Sequence, residues 1–181
     1  MNKRVKLEDF SLLHLASQMR EFNENVTDNK NRLIPWFWWA RRGDFARFRF
    51  VFNALVAEQI ANQGHQLPYN KKFIIRHDNE FAGVIGLDNM YQDATRIEMW
   101  LYLDYEYTGQ HIASTAIKKA EEFADSKSVY QIVAKISPRN ADIYNVLVAN
   151  KYRMLSTQYD DNGKARQQIW IKTLNDKRVE K

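Results

Sequence analysis

RIEMWLYLDYEYTGQHIASTAIKKAEEFA, residues Arg96–Ala124, decides the fold. In Ile97–Leu103 six of seven side chains are apolar or aromatic, and the seventh is Glu98. That run predicts a strand. A loop, Asp104–Gln110, carries one glycine, Gly109. After it Ile112, Ala113, Ala116, Ile117, Ala120, Phe123 and Ala124 recur at helical spacing. The first turn of a helix leaves backbone N–H groups unpaired, at the positive end of the helix dipole. A strand, a turn with a glycine and a helix start therefore make a place to hold an anion. Gly109 can take positive φ and let a ligand approach the backbone.

Working outward, Lys72–His77 and Glu80–Leu87 are β-rich runs joined by Asp78-Asn79, which predicts a hairpin. Gly83 and Gly86 weaken a strand unless a bulge or a neighbour needs the space. Val129–Ile136 reads as a further strand, ended by Ser137-Pro138. Asn140 can cap a helix over Ala141–Asn150. Met154–Tyr159 and Ala165–Thr173, around Asp160–Gly163, read as a closing hairpin. Upstream, Leu7–Glu21 reads as an amphipathic helix. Asp44 is placed to cap a second helix reaching Gln63, with Phe45, Phe48, Phe52, Leu55, Val56 and Ile60 as its stripe. Between them Leu33–Ala40 carries Pro35 and Trp36, Trp38 and Trp39. Those rings are either a core plug or one wall of a cleft. The whole order predicts an α+β, or mixed α/β, single domain over residues 1–174 with a charged tail, 175–181. It contains one parallel crossover: strand 97–103, helix 112–126, strand 129–136.

Bulk properties narrow the function. Of the 181 residues, 45% are hydrophobic, enough for one real core. With no cysteine there is no disulfide, cysteine nucleophile or thiolate metal site, and a reducing, cytoplasmic setting is expected. The four histidines show no ligand spacing, so no metal site is expected. MNKRVKLEDF lacks the apolar core of a signal peptide, and no apolar run is long enough to span a bilayer. Net charge is +5 and the pI near 9.3, which permits an anionic partner. The basic residues are scattered rather than gathered with aromatics, which disfavours nucleic acid.

This order, with these residues, resembles the GNAT family of N-acetyltransferases, and within it the bacterial branch that acetylates ribosomal-protein N-termini. The resemblance covers nearly the whole chain. It is carried by Ile34-Pro35-Trp36, by Phe73-Ile74-Ile75 through Gly83-Val84-Ile85-Gly86-Leu87, by Glu98 through Leu103-Asp104, by Tyr107-Thr108-Gly109-Gln110-His111-Ile112-Ala113, and by Asn140. It implies a central, mostly antiparallel twisted sheet with one splayed parallel pair, flanked by helices. It also implies acetyl-CoA as co-substrate and an amine as acceptor, either a small molecule or a protein N-terminus. A homodimer is compatible with it.

The resemblance also assigns residues. Tyr107 to Ser114 would cradle the coenzyme A pyrophosphate. Main-chain groups near Leu101 and Leu103 would take the pantetheine arm, and a strand N–H the oxyanion. Asn140 would touch the cofactor or cap a helix, and the two roles are compatible. Glu98 is the candidate general base, its alternatives being a solvent-facing carboxylate or a partner for an arginine such as Arg76. Three positions depart from the family pattern. His111 replaces the second glycine of the loop, where its ring either crowds the pyrophosphate or supports it. Ile143 stands where the branch has a serine that protonates the leaving thiolate. Lys151-Tyr152 replaces Gly-Phe. Tyr144 and Ser137 are the remaining candidates for the acid. The competing readings are a CoA-binding member with little turnover and a basic ribosome- or nucleic-acid-associated protein.

Overall fold

A computed structural model describes residues 5–9, 34–35, 71–88, 95–103 and 107–174. Eight strands form one sheet: β1 (Val5–Asp9), β2 (Ile34–Pro35), β3 (Lys71–His77), β4 (Glu80–Asp88), β5 (Arg96–Leu103), β6 (Gln131–Ile136), β7 (Arg153–Tyr159) and β8 (Ala165–Thr173). Two helices complete the described part, α1 (Ile112–Ser126) and α2 (Ala141–Ala149). The sheet order is β1-β3-β4-β5-β6-β8-β7, with β2 added on β5. Every pairing is antiparallel except β5 with β6. The mixed, mostly antiparallel architecture is the expected one.

The hairpins follow from their turns. Asp78 and Asn79 both take positive φ, 52° and 72°, as a two-residue turn that matches strand twist requires. In the β7–β8 turn the Asp160 carboxylate accepts from the amides of Asn162 and Lys164, and Gly163 sits at φ 74°. The two glycines of β4 have separate reasons. A Cβ on Gly83 would lie 2.1 Å from the carbonyl oxygen of Tyr102. At Gly86 it would lie 2.1 Å from the nearest atom of the Trp100 indole, which lies across that position.

The amino-terminal reading needs correction. Leu7, Glu8 and Asp9, assigned to a helix starting at Leu7, belong to β1, which runs antiparallel to β3. Val-Lys-Leu-Glu alternates with the period of a strand. Arg76 donates to Glu8 at 2.9 Å, and Lys71 pairs with Asp9 at 2.8 Å, so charges as well as backbone close that edge. The rest of that expected helix, the helix from Asp44 to Gln63, the three tryptophans and the charged tail lie outside the described residues.

Side chains alternate across β5. Ile97, Met99, Leu101 and Leu103 face α1 and α2, while Glu98, Trp100 and Tyr102 face the opposite side. The helix side is dry. Ala113, Ala116, Ile117, Ala120 and Ala124 of α1 are buried, and Phe123 meets Phe73 edge-on at 5.2 Å. Small alanines let the helix sit close to the sheet.

β5 and β6 pair over three rungs only: Arg96 with Gln131, Ile97 with Ile132 and Glu98 with Val133. Beyond Glu98 each strand continues with its other neighbour, β5 with β4 and β6 with β8. A gap therefore opens in the sheet immediately after Glu98. At its far end β2 pairs with the same edge of β5, Ile34 opposite Leu103 and Pro35 opposite Tyr102.

Candidate active site

The chain enters α1 through two left-handed residues. Gly109 has φ 73°, and His111, the N-cap, has φ 60° and ψ 10°. An added Cβ on Gly109 meets nothing within 4 Å, so glycine is needed there for its φ rather than for space. Helices usually begin with a Ser, Thr, Asp or Asn whose side chain answers a free amide. His111 makes no such bond, and the first turn holds no acid. Its carbonyl accepts from both the amide and the hydroxyl of Thr115, each at 3.0 Å, which closes the turn. The amides of Ile112, Ala113 and Ser114 thus start the helix without a capping side chain, at the positive end of the dipole.

That end opens on a cleft of about 550 Å³ between α1 and α2. Leu101 and Leu103 form its floor. Tyr107, Thr108, Gly109 and His111 form one rim, continued by Ile112, Ala113 and Ser114. Asp142, Ile143, Asn145, Val146 and Ala149 of α2 form the other. The size suits a small-molecule ligand. Tyr107 ties the rim to the β3–β4 hairpin: its hydroxyl donates to Glu80 at 3.0 Å and its ring meets His77 edge-on.

Several expected residues do not converge here. Gln110 is exposed and lies outside the wall. Asn140 accepts from the amide of Ile143 at 3.2 Å, so it is the cap of α2, and its side chain is not part of the cleft. Tyr144 projects from the other side of α2, edge-on to Trp170 at 5.1 Å. Ser137, at the end of β6, accepts from the amide of Arg139 at 3.3 Å. Ile143 is buried in the cleft wall, so an alkyl group occupies the serine position. The Leu103 end of β5 is paired with Ile34, which leaves Leu101 on the stretch of edge that no described strand covers. Glu98 stands on the opposite face of the sheet, at the last rung before the gap, with Lys135 donating to its Oε2 at 2.6 Å. It does not pair with Arg76, which bonds Glu8.

Two features escaped the sequence reading. Asn150, 3% exposed, donates to Ser114 Oγ at 3.0 Å and to the carbonyl of Val146 at 2.7 Å. It therefore locks the end of α2 to the first turn of α1. Asn150→Ala is expected to cost about 1–3 kcal/mol through the lost bonds and the small void. That is a fall in Tm of roughly 2–12 °C, read by calorimetry. Elsewhere Tyr152 and Glu121 are buried together, and the half-buried Lys172 pairs with Glu121 at 2.5 Å. Burial, and then the Glu121 charge, hold the Tyr152 phenol well above its ordinary range, so it is a neutral group. No sequence spacing signals either contact, because each joins elements separated by tens of residues.

Among the described residues no His, Asp and Glu gather in a way that could hold a metal ion. No described helix is long and apolar enough to cross a membrane.

Known folds match this arrangement. One is an acetyl transferase from Salmonella typhimurium that modifies the N-terminal serine of the 50S ribosomal subunit protein L7/L12. It is 15% identical, with a TM-score of 0.69 and 97% of each chain covered. A ribosomal L7/L12 α-N-protein acetyltransferase in complex with coenzyme A is 16% identical, with a TM-score of 0.67 over 96% of this chain and 95% of that one. A microcin self-immunity acetyltransferase in complex with acetyl-CoA and AMP is 18% identical, with a TM-score of 0.63 over 96% and 93%. At these identities the likeness is one of fold. No curated protein sequence matches the chain. The model of the acetyltransferase (GNAT) domain, however, matches residues 4–153, most of the sequence. The chain belongs to the GNAT family of acetyltransferases.

Proposed function

We propose that this protein transfers an acetyl group from acetyl-CoA to a primary amine, a protein N-terminal α-amine being the favoured acceptor. The observation that carries the reading is the uncapped start of α1, opening on a cleft whose floor is the strand beside the gap. In this reading the amides of Ile112, Ala113 and Ser114 bind the diphosphate, with Thr108 and Gly109 shaping the approach. The pantetheine arm lies along the Leu101 edge like an added strand, and the thioester reaches the gap. A main-chain N–H of β5 answers the oxyanion. Glu98 waits on the far face as general base, directly or through a water.

An amine must lose a proton before it can attack. An α-amine begins near pKa 8 and a lysine near 10.4, which favours the N-terminal amine as nucleophile. The ribosomal-protein N-terminal acetyltransferases among the similar folds support the same choice. The thiolate leaves as CoA and takes a proton. Tyr144 is turned to Trp170, Ile143 holds the serine position and Ser137 does not line the cleft, so none of the three supplies that proton from the cleft wall.

Two measurements test the reading. Coenzyme A at about 100 times its Kd is expected to add about 2.7 kcal/mol, several degrees in Tm. No shift at millimolar CoA overturns the cofactor assignment. Mass spectrometry of a pool of unmodified peptides, incubated with acetyl-CoA, is expected to show acetyl groups on α-amines. Stabilisation by CoA without any acetylated product would point instead to a binding member with little turnover.

A further inference from the structure

Asp88 of β4 and Glu98 of β5 stand directly opposite each other on the face away from the cleft. Like charges so placed repel unless each is compensated. Both are. Lys72, 1% exposed, lies 3.2 Å from Asp88 Oδ1, and the Trp100 indole N–H donates to Asp88 Oδ2 at 2.6 Å. Lys135 donates to Glu98 Oε2 at 2.6 Å. The result is a row of charges, plus, minus, minus, plus, across β3, β4, β5 and β6.

The two carboxylates differ in what is left over. Asp88 takes a hydrogen bond on Oδ2 and has the Lys72 charge beside Oδ1, an ion pair rather than a hydrogen bond. Glu98 has one oxygen engaged, and its Oε1 takes no hydrogen bond from the described residues. The partner on Oε2 comes from across the opening. Lys135 lies two residues past Val133, the last rung, so it belongs to the β6 wall of the gap. Its ammonium bridges that gap to reach β5. The pair is mostly enclosed, with side-chain exposures of 22% for Lys135 and 17% for Glu98. A charge-assisted bond in such a place fixes geometry as well as contributing energy.

We propose that Lys135 is a positioning residue for the acetyl transfer: it anchors Glu98 by Oε2 and so presents Oε1 to the acceptor amine. This rests on the reading of Glu98 as general base. The step balances simply. The acceptor N–H bond breaks as an O–H bond forms at Oε1, directly or through one water. The freed nitrogen lone pair forms the N–C bond at the thioester carbon, and the oxyanion collapses as the C–S bond breaks. The nitrogen's second proton passes to the departing sulfur through solvent, Glu98 returns its own proton to water, and Lys135 neither gains nor loses a proton. Without the anchor, repulsion from Asp88 turns the carboxylate away and nothing holds it by Oε2, so the base loses its aim.

The test is a double-mutant cycle with acetyl-CoA and a pool of unmodified N-terminal peptides. Lys135→Met is expected to lower kcat by roughly 10–100-fold, the scale of a misplaced catalytic group. KM for acetyl-CoA and calorimetric CoA affinity are expected to stay within about threefold, which also reports that the variant is folded. Lys135→Arg, which keeps a donor on the same strand, is expected to recover most of kcat. Adding Lys135→Met to Glu98→Gln is expected to cost almost nothing more, because the two act through one group.

Full activity in Lys135→Met, no rescue by arginine, or additive losses in the double variant would each overturn the proposal while leaving Glu98 in its role. A fully active Glu98→Gln would remove the reading beneath it as well. If Lys135→Met does not bind CoA, Lys135→Gln is measured in its place against the same limits.

Discussion

Glu98→Gln is expected to reduce kcat by about 10²–10³-fold while leaving CoA affinity nearly unchanged. General-base catalysis contributes on the order of 10²–10⁴ in rate. Glutamine keeps the size of the side chain and an oxygen for Lys135, so the row of charges loses one carboxylate without leaving a void. The cofactor cleft lies on the other face of the sheet, and Glu98 is no part of its wall. The loss therefore belongs in kcat and not in cofactor binding. It is expected to be largest below about pH 8, where an α-amine is mostly protonated and the base has the most to do. Above that range the amine supplies its own lone pair, and the variant approaches the parent. Steady-state kinetics from pH 6 to 9.5 with parent and variant side by side reads this out. An equal loss at every pH would mean that the carboxylate serves geometry alone.

Gly109→Val is expected to weaken CoA binding at least tenfold by calorimetry. Space is not the reason, since a Cβ there meets no neighbouring atom within 4 Å. Conformation is. Gly109 sits at φ 73°, which costs an L-residue roughly 1–2 kcal/mol and a β-branched one more. About 1.4 kcal/mol is tenfold in affinity. The turn relieves the strain by rotating peptide planes, and that carries the amides of Ile112–Ser114 off the anion. Gly109→Asn is the control. Asparagine tolerates the left-handed region, so its affinity is expected to fall far less than that of valine. Equal affinities for parent, asparagine and valine variants would show that the diphosphate binds elsewhere.

The same conformational argument explains two departures from the family pattern. His111 and Lys151 replace glycines of that pattern, and both are left-handed, at φ 60° and 65°. The backbone path is kept and each side chain bears its strain. Both are exposed, so neither ring nor ammonium has to be packed. At position 111 the replacement also puts an imidazole on the cleft rim beside the uncapped amides.

Much of this architecture was legible in the amino-acid order. β5, α1 and the two hairpins were readable because each carries a local signal: an apolar run, a 3.6-residue stripe, Asp-Asn or Asp-Asn-Gly. Long-range relations were not. Val5–Asp9 has alternation too short to outweigh the helical pattern after it, and only the open edge of β3 makes it a strand. Ile34–Pro35 gives no hint that it pairs with β5. Glu98 was legible as an odd carboxylate in an apolar strand, but its partner depends on the parallel register with β6, set 37 residues away. Tyr144 looked available as an acid. On α2, however, it is neighbour to Ile143, which faces the cleft, and successive helical residues point about 100° apart. Gly86 is required by Trp100, which lies across it from the next strand, a relation with no local signal in the sequence.

The most direct measurement is a crystal structure of the protein grown with coenzyme A. The account predicts diphosphate oxygens roughly 3 Å from the amide nitrogens of Ile112, Ala113 and Ser114, with the thiol at the gap beside Glu98. A diphosphate bound away from that helix start, or a thiol directed out of the gap into solvent, would contradict it.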